Sequence, residues 1–289
     1  MTARAIRISN VSPPIALIIG LVLLSLVHRN QSMRCAGALL IGALLKYATL
    51  ILLPLLIAMR HWRILLWLSF FGLLLLFASI SIIGPKPFAE FTQVITPTLS
   101  RPSWFYGNQS LPGMLSRIFG RPFPHFVMFL LNEARFFTLS GVFYLLFRLR
   151  PHFWQNPVHV FAATGLLLSW LLIFSPIAWE HWPIFFCPIW GWLIWEAREP
   201  GYRRVLALSS LALMYLPAGI IQVGGIATFP IVLPEPFNSS QLFGVILLFF
   251  LASWRLYYPI PSTQTIALSK TLEDEEFEID KMKYLNPIR

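Results

Sequence analysis

Lys46 stands between Leu45 and Tyr47 inside an apolar run from Cys35 to Met59. An ammonium at that depth costs at least ~2.5 kcal/mol to insert, so it needs a partner or a wet cavity. Capture of a phosphate by its point charge is one reading; snorkelling of the long side chain to a nearby surface is the other. Further on, Ser175-Pro176-Ile177-Ala178-Trp179-Glu180-His181-Trp182 separates two apolar runs. Pro176 should break the helix, leaving Glu180 and His181 at the water boundary. A carboxylate beside an imidazole can share a proton or hold a hydroxyl-rich ligand. Trp179 and Trp182 offer flat faces to a sugar ring or a lipid headgroup, although an ordinary aromatic belt would look the same.

A third group is Tyr106-Gly107-Asn108-Gln109-Ser110-Leu111, followed by Arg117. Amides and a hydroxyl near a guanidinium can position a sugar or a phosphate. Asn108-Gln109-Ser110 also fits a glycosylation sequon, but so do the triplets that start at Asn10, Asn30 and Asn238. That pattern therefore specifies little. The chain has no Gly-rich phosphate loop, His-Glu-x-x-His, nucleophile elbow or kinase set, so a soluble nucleotide has no visible home and no cofactor is expected. Cys35 and Cys187 have no His or acid at metal-ligand spacing; they read as packing residues, and no metal is expected.

The elements that must carry these groups follow from composition. Apolar residues make up 57% of the chain and charged residues 12%, about half the ~25% charge of a soluble domain. Mean hydropathy is +0.69. These values exclude a soluble protein. The pI of about 10.1 does not indicate nucleic acid, because the basic residues lie between apolar runs and form no stripe. They read as topology signals and contacts to anionic lipid. Acids are scarce: before residue 271 only Glu90, Glu133, Glu180, Glu196, Glu199 and Glu235 occur.

Candidate spans are Val11–Val27, Cys35–Met59, Trp62–Ile83, Phe126–Phe147, Val158–Phe174, Pro183–Trp195, Val205–Ile221 and Leu242–Tyr258. They are continuous and do not alternate, so a β-barrel is disfavoured. The expected fold is an all-α polytopic transmembrane helical bundle of about seven to nine membrane helices. The basic groups around Arg29/Arg34, Arg60/Arg63, Arg148/Arg150 and Arg198/Arg203/Arg204 all read as cytoplasmic. Two inside groups cannot be separated by a single span, so residues 35–59 are expected to form a hairpin of two half-depth helices turning near Lys46. One continuous span, with Arg29 and Arg34 outside, is the alternative. The hairpin puts Arg4 and Arg7 on the wrong side, which suggests a chain that begins partway through a longer parent. Glu133 and Arg135 are expected to mark the outer end of a helix. Residues 1–258 form the membrane domain, and 259–289 an acidic cytoplasmic tail.

The motifs, in order, resemble glycosyltransferase family 87, membrane sugar transferases of the C-type fold. The resemblance runs from Asn10-Val11-Ser12-Pro13 through Ala36-Gly37, Lys46-Tyr47, Pro54 and Arg60-His61-Trp62-Arg63. It continues with Asn108-Gln109-Ser110 and Arg117 to Ser175-Pro176-Ile177-Ala178-Trp179-Glu180-His181, covering roughly residues 10–255. The last stretch is similar to the family's Ser-Pro-x-Ser-Trp-x-His-His, with Ala178 in place of the serine and Trp182 in place of the second histidine. The resemblance implies a multi-pass protein of the cell (inner) membrane. It would move a hexose, mannose first among them, from a polyprenyl-phosphate donor to a glycolipid or polysaccharide acceptor on the extracytoplasmic face. Its partners would be those substrates and the lipid bilayer, with no nucleic acid. Lys46 and Arg117 would meet the donor phosphate, and Asn108 and Ser110 would position the sugar or the loop. His181 would serve the phosphate or the acceptor hydroxyl, Glu180 would be the only plausible base, and Trp179 would line the substrate. C-type transferases carry an acidic base in a first outer loop upstream of the region matched here. A non-catalytic fragment or scaffold, or a membrane transporter or polysaccharide-assembly protein, are the competing readings.

Overall fold

A computed structural model describes residues 12–27, 31–100, 108–120, 124–176, 178, 182–215, 220–221, 231–232 and 239–260. The first helix, α1 (Ser12–Val27), opens on Pro13 and Pro14, whose missing N–H groups fall where no intrahelical acceptor exists anyway. Its Ile15, Ile19, Val22 and Leu26 are buried. Helix α2 (Ser32–Leu45) stops at Lys46, which swings to φ −161, ψ 117. A 3₁₀ segment (Tyr47–Leu52) and the short α3 (Leu53–Ala58) follow.

The 3₁₀ segment folds back on α2. A Cβ built on Gly42 would sit 2.8 Å from Thr49 Cγ2 and 3.0 Å from Ile18 Cγ2, whereas positions 42 and 49 of one continuous helix lie ~10 Å apart. Only glycine permits that approach. The break at Lys46 is the one the hairpin reading expects.

Helix α4 (Trp62–Ile83) matches its expected bounds and buries only Ile64. It is long and apolar enough to cross a bilayer, and no residue of its most apolar window is fully buried. Lipid is the medium that suits such a surface. The expected long loop 85–125 contains two helices, α5 (Lys86–Ser100) and α6 (Leu111–Phe119). Helix α7 (His125–Arg148) follows. It corrects one expectation, because Glu133 and Arg135 lie inside it and not at its end. Arg135 sits level with the end of α8 (Pro157–Phe174), whose Phe174 carbonyl it reaches, and α7 continues past that level. A charge can therefore mark the height of a boundary without ending its own helix.

Helix α8 is the centre of the bundle, with 72% of its apolar window buried. Ala162, Ala163 and Gly165 let neighbours approach closely, as small residues do in membrane helices. Packed on it are α1, the 3₁₀ segments Tyr47–Leu52 and Trp182–Ile189, and α11 (Ser240–Tyr257). The expected span Pro183–Trp195 is instead that second 3₁₀ segment followed by α9 (Trp190–Arg198). Pro188 has no N–H to continue an α-helix and clashes with the preceding turn. Helix α10 is described over Tyr202–Tyr215 and does not reach the expected Ile221, which lies in a strand. Ile220–Ile221 instead pairs with Ile231–Val232, the one strand pairing among the described residues. The architecture is otherwise all-α, with four helices among the described residues able to cross a membrane (α4, α7, α8, α11) and three shorter apolar ones. Arg4, Arg7 and the acidic tail from 261 lie outside the described residues.

Two of the four basic groups that read as cytoplasmic meet at one end. Arg148 lies 4.4 Å from the Tyr257 ring centroid and Arg203 lies 5.5 Å from that of Trp254, so the ends of α7 and α11 and the start of α10 share a face.

Candidate functional site

The far end of α8, around Phe174, is where the sequence motifs converge. Ser110 caps α6, and its Oγ accepts from Gly113 N at 3.1 Å, satisfying one of the orphan donors of a first turn. The Ser110 hydroxyl donates in turn to Asn108 Oδ1 at 2.9 Å. Asn108 then binds a segment some seventy residues away: its Oδ1 accepts from Ala178 N at 2.8 Å, and its Nδ2 donates to Pro176 O at 2.9 Å. Gln109 N adds a bond to Ala178 O at 2.6 Å. The two motifs that the sequence presents separately are stapled together by the Asn108 side-chain amide and the Gln109 N–H, both on main-chain groups of Pro176 and Ala178.

Arg117 closes the staple. Its Nη1 donates to Asn108 O and its Nη2 to Ser239 Oγ, both at 2.8 Å, which ties the loop to the start of α11. From the other side, Arg135 Nη2 donates to Phe174 O at 3.0 Å. Asn108 and Ser110 are fully buried. A Cβ on Gly113 would lie 2.6 Å from Asn108 Cγ and Nδ2 and 2.7 Å from its carbonyl oxygen, so the close packing of α6 against Asn108 requires glycine there.

Lys46 arrives from the break after α2. Its Nζ lies 3.8 Å from the Trp182 ring centroid and 5.1 Å from that of Phe185. Cation–π attraction of this kind partly replaces water around an ammonium. Among the described residues no carboxylate lies within ion-pair distance of it. Trp179, Glu180 and His181 lie outside the described residues. Their flanks are Ala178, held by Asn108, and Trp182, covered by Lys46; four residues of chain span at most ~14 Å. Lys46 and the Asn108 loop therefore belong to one locality. Among the described residues no three His, Cys, Asp or Glu stand close enough to hold a metal ion. Cys35 is buried and Cys187 partly so, and both are free.

Sequence reasoning missed four participants. Gln109 works through its backbone and Ser239 through a single hydroxyl, neither of which carries a pattern. Arg135 was legible only as a helix marker. Trp182 was visible as a flat face but not as the seat of Lys46. A whole second cluster was also missed. At the Pro157 end of α8, Arg255 forms a two-pronged pair with Glu196 at 2.6 and 2.7 Å, while Trp192 Nε1 donates to Glu196 Oε1 at 3.0 Å. Arg203 stands 3.5 Å from Glu196 and 2.6 Å from Glu199. One signal could have found it: Glu196 and Arg255 are opposite charges lodged in two separate apolar runs.

Fold and site together define a multi-pass helical membrane protein with a cationic, aromatic-walled locality at one end of its central helix. A sequence model of glycosyltransferase family 87 matches residues 2–176, well over half of the 289 residues, and the chain belongs to that family. It is therefore a membrane glycosyltransferase, acting on a sugar donor and an acceptor in a lipid environment. The matched range contains Lys46, Asn108, Ser110 and Arg117 and ends at Pro176, short of Trp179, Glu180 and His181 and of the residue near 255 to which the motif resemblance extends. Nothing matches among curated proteins or among solved structures.

Proposed function

We propose that this glycosyltransferase moves a hexose, with mannose as the first candidate, from a polyprenyl-phosphate donor to a glycolipid or polysaccharide acceptor. The transfer takes place at the extracytoplasmic face of the inner cell membrane. The observation that carries the reading is Lys46: a cation seated on aromatic rings, without a described carboxylate, beside a loop held by seven hydrogen bonds. An ammonium with no counter-ion among the described residues of an apolar bundle suits an anion brought by the substrate.

In this mechanism the acceptor hydroxyl attacks the anomeric carbon while the bond from that carbon to the phosphate oxygen breaks. The leaving lipid phosphate gains negative charge, which Lys46 and His181 stabilise as it develops. The hydroxyl proton passes to Glu180. Asn108 and Ser110 position the loop and do not touch the sugar, since their polar atoms bind Pro176, Ala178 and Gly113. Arg117 adds positive charge at the rim while holding Asn108 and Ser239, and Trp179 stacks on the sugar ring.

The test is an assay of membranes containing the full protein with labelled polyprenyl-phosphate mannose and extracted glycolipids. Lys46→Met and His181→Ala should each lower transfer by about 10²–10³-fold at unchanged protein level, the scale for losing one group that stabilises developing charge. Full activity in both variants would remove the proposal.

A further inference from the structure

We infer that the indole N–H of Trp182 is a second donor to the phosphate that Lys46 receives, so that ring and ammonium form one two-donor seat for a lipid monophosphate. This rests on the reading of Lys46 given under the proposed function and adds a residue to it. Trp182 is 4% exposed, yet its Nε1 has no hydrogen-bond partner. A buried N–H is ordinarily satisfied, and an orphan calls for an explanation. The other indoles of this kind in the bundle show the ordinary case: Trp192 Nε1 bonds to Glu196 and Trp170 Nε1 to Thr138 Oγ1. Trp154 Nε1 is also unpaired, but no cation lies over its ring among the described residues.

At Trp182 the orphan donor and a cation share one ring. The ammonium sits 3.8 Å from the ring centroid, and it draws electron density from the π face and so sharpens the N–H as a donor. Among the described residues nothing accepts from it. Phe185 is hydrocarbon, and the carbonyl of Pro183 already takes the Tyr215 hydroxyl at 3.2 Å. The ammonium over the ring and the N–H in its plane belong to one contact, so an anion lodged between them would answer both donors. The ligand that answers both is a compact oxyanion with several acceptor oxygens. A phosphate monoester fits; a neutral sugar hydroxyl would leave the ammonium uncompensated.

The test uses the full chain in phosphatidylcholine nanodiscs with farnesyl phosphate, farnesol and inorganic phosphate as probes. The unaltered protein should bind farnesyl phosphate at least tenfold more tightly than farnesol. Trp182→Phe, which keeps a ring under Lys46 and removes only the donor, should weaken farnesyl phosphate about fivefold and leave farnesol unchanged. In a Lys46→Met background the same change should cost less than twofold, because both donors serve one anion. Inorganic phosphate weakened by the same factor as farnesyl phosphate also supports the seat and assigns recognition to the head group alone. If Trp182→Phe binds like the unaltered protein while Lys46→Met loses its preference for phosphate, the Trp182 inference fails and the Lys46 reading stands. If the unaltered protein does not distinguish phosphate from alcohol, both fail. A readout independent of the variant's folding is the ¹⁵N-indole spectrum of the unaltered protein, which has eleven tryptophans. One N–H resonance should move downfield with farnesyl phosphate and not with farnesol; no such movement overturns the seat.

Discussion

The two ends of α8 hold two polar clusters in the same apolar bundle, and they are built on opposite principles. At the Pro157 end Glu196 is fully buried and Arg255 is 3% exposed, and the charges answer one another. Arg255 also lies 5.2 Å from the Trp195 ring centroid and 5.1 Å from that of Trp254. His159 Nε2 accepts from Ile260 N at 3.1 Å, and Nδ1 lies 2.7 Å from Phe153 O, so both ring nitrogens are engaged. At the Phe174 end the backbone staple is just as complete, but Lys46 and the Trp182 N–H are left over. A cluster whose charges answer one another organises helices; a cluster whose cation sits unanswered on the ring of an orphan donor is prepared for something that is not part of the chain. The contrast separates structural polarity from functional polarity more sharply than burial does, because both ends are buried.

The largest expected effect comes from unpairing the closed end. Glu196→Gln leaves Arg255 buried without a counter-charge, and breaking a buried pair costs about 3–5 kcal/mol. Unfolding in detergent, followed by thermal shift, should register that loss. Replacing both partners, Glu196→Met with Arg255→Met, should recover most of it, since apolar residues of similar volume suit the site. Lys46→Met should behave in the opposite way, with stability unchanged or raised while transfer falls. If Lys46→Met destabilises as strongly as Glu196→Gln, the two ends are alike and Lys46 is a structural cation.

How much of this was legible beforehand follows from the kind of signal each feature leaves. The bounds of α4 were readable because a uniform apolar run stops at charged or glycine-containing edges. Lys46 was readable because it is one charge in a long apolar run, and the break there was read from the two inside basic groups that flank the run. The 3₁₀ course of Trp182–Ile189 was not readable from hydropathy, which does not distinguish helix types; Pro183 and Pro188 carried that information instead. The staple between Asn108 and Ala178 was hidden for a different reason. It joins segments some seventy residues apart, and the Asn108 side-chain amide meets main-chain groups of Pro176 and Ala178 that every residue possesses, so no pattern of side-chain types reports its partner. The Glu196–Arg255 pair lies between these cases: both charges were visible, but their partnership depends on the packing of α9 and α11.

A middle-sized effect tests whether the staple is what fixes the open end. Gly113→Ala drives a methyl against Asn108, including its backbone carbonyl, and overpacking of that kind costs about 1–3 kcal/mol. Transfer should fall with it, because Asn108 is the link to Ala178. Gly141→Ala is the control: nothing lies within 4 Å of a Cβ there, and in a helix interior alanine is favoured over glycine by about 1 kcal/mol. Equal outcomes for the two variants, read by unfolding and by transfer, would mean that the Asn108 contact has no hold on the site.

The smallest effect belongs to Arg135, and it sharpens the boundary between holding and binding. Its Nη2 bond to Phe174 O satisfies a carbonyl in the last turn of α8, where a positive charge also suits the helix dipole. Arg135→Gln removes the charge and shortens the reach, which should cost about 1 kcal/mol of stability. Transfer should fall only a few-fold, because the end of α8 is still fixed by the Asn108 bonds to Pro176 and Ala178. The size of the loss is therefore diagnostic. A drop as deep as that of Lys46→Met, at undiminished stability, would place Arg135 against the substrate and make the open end a site of two cations. A shallow drop leaves Lys46 as the charge that the substrate meets and Arg135 as part of the frame.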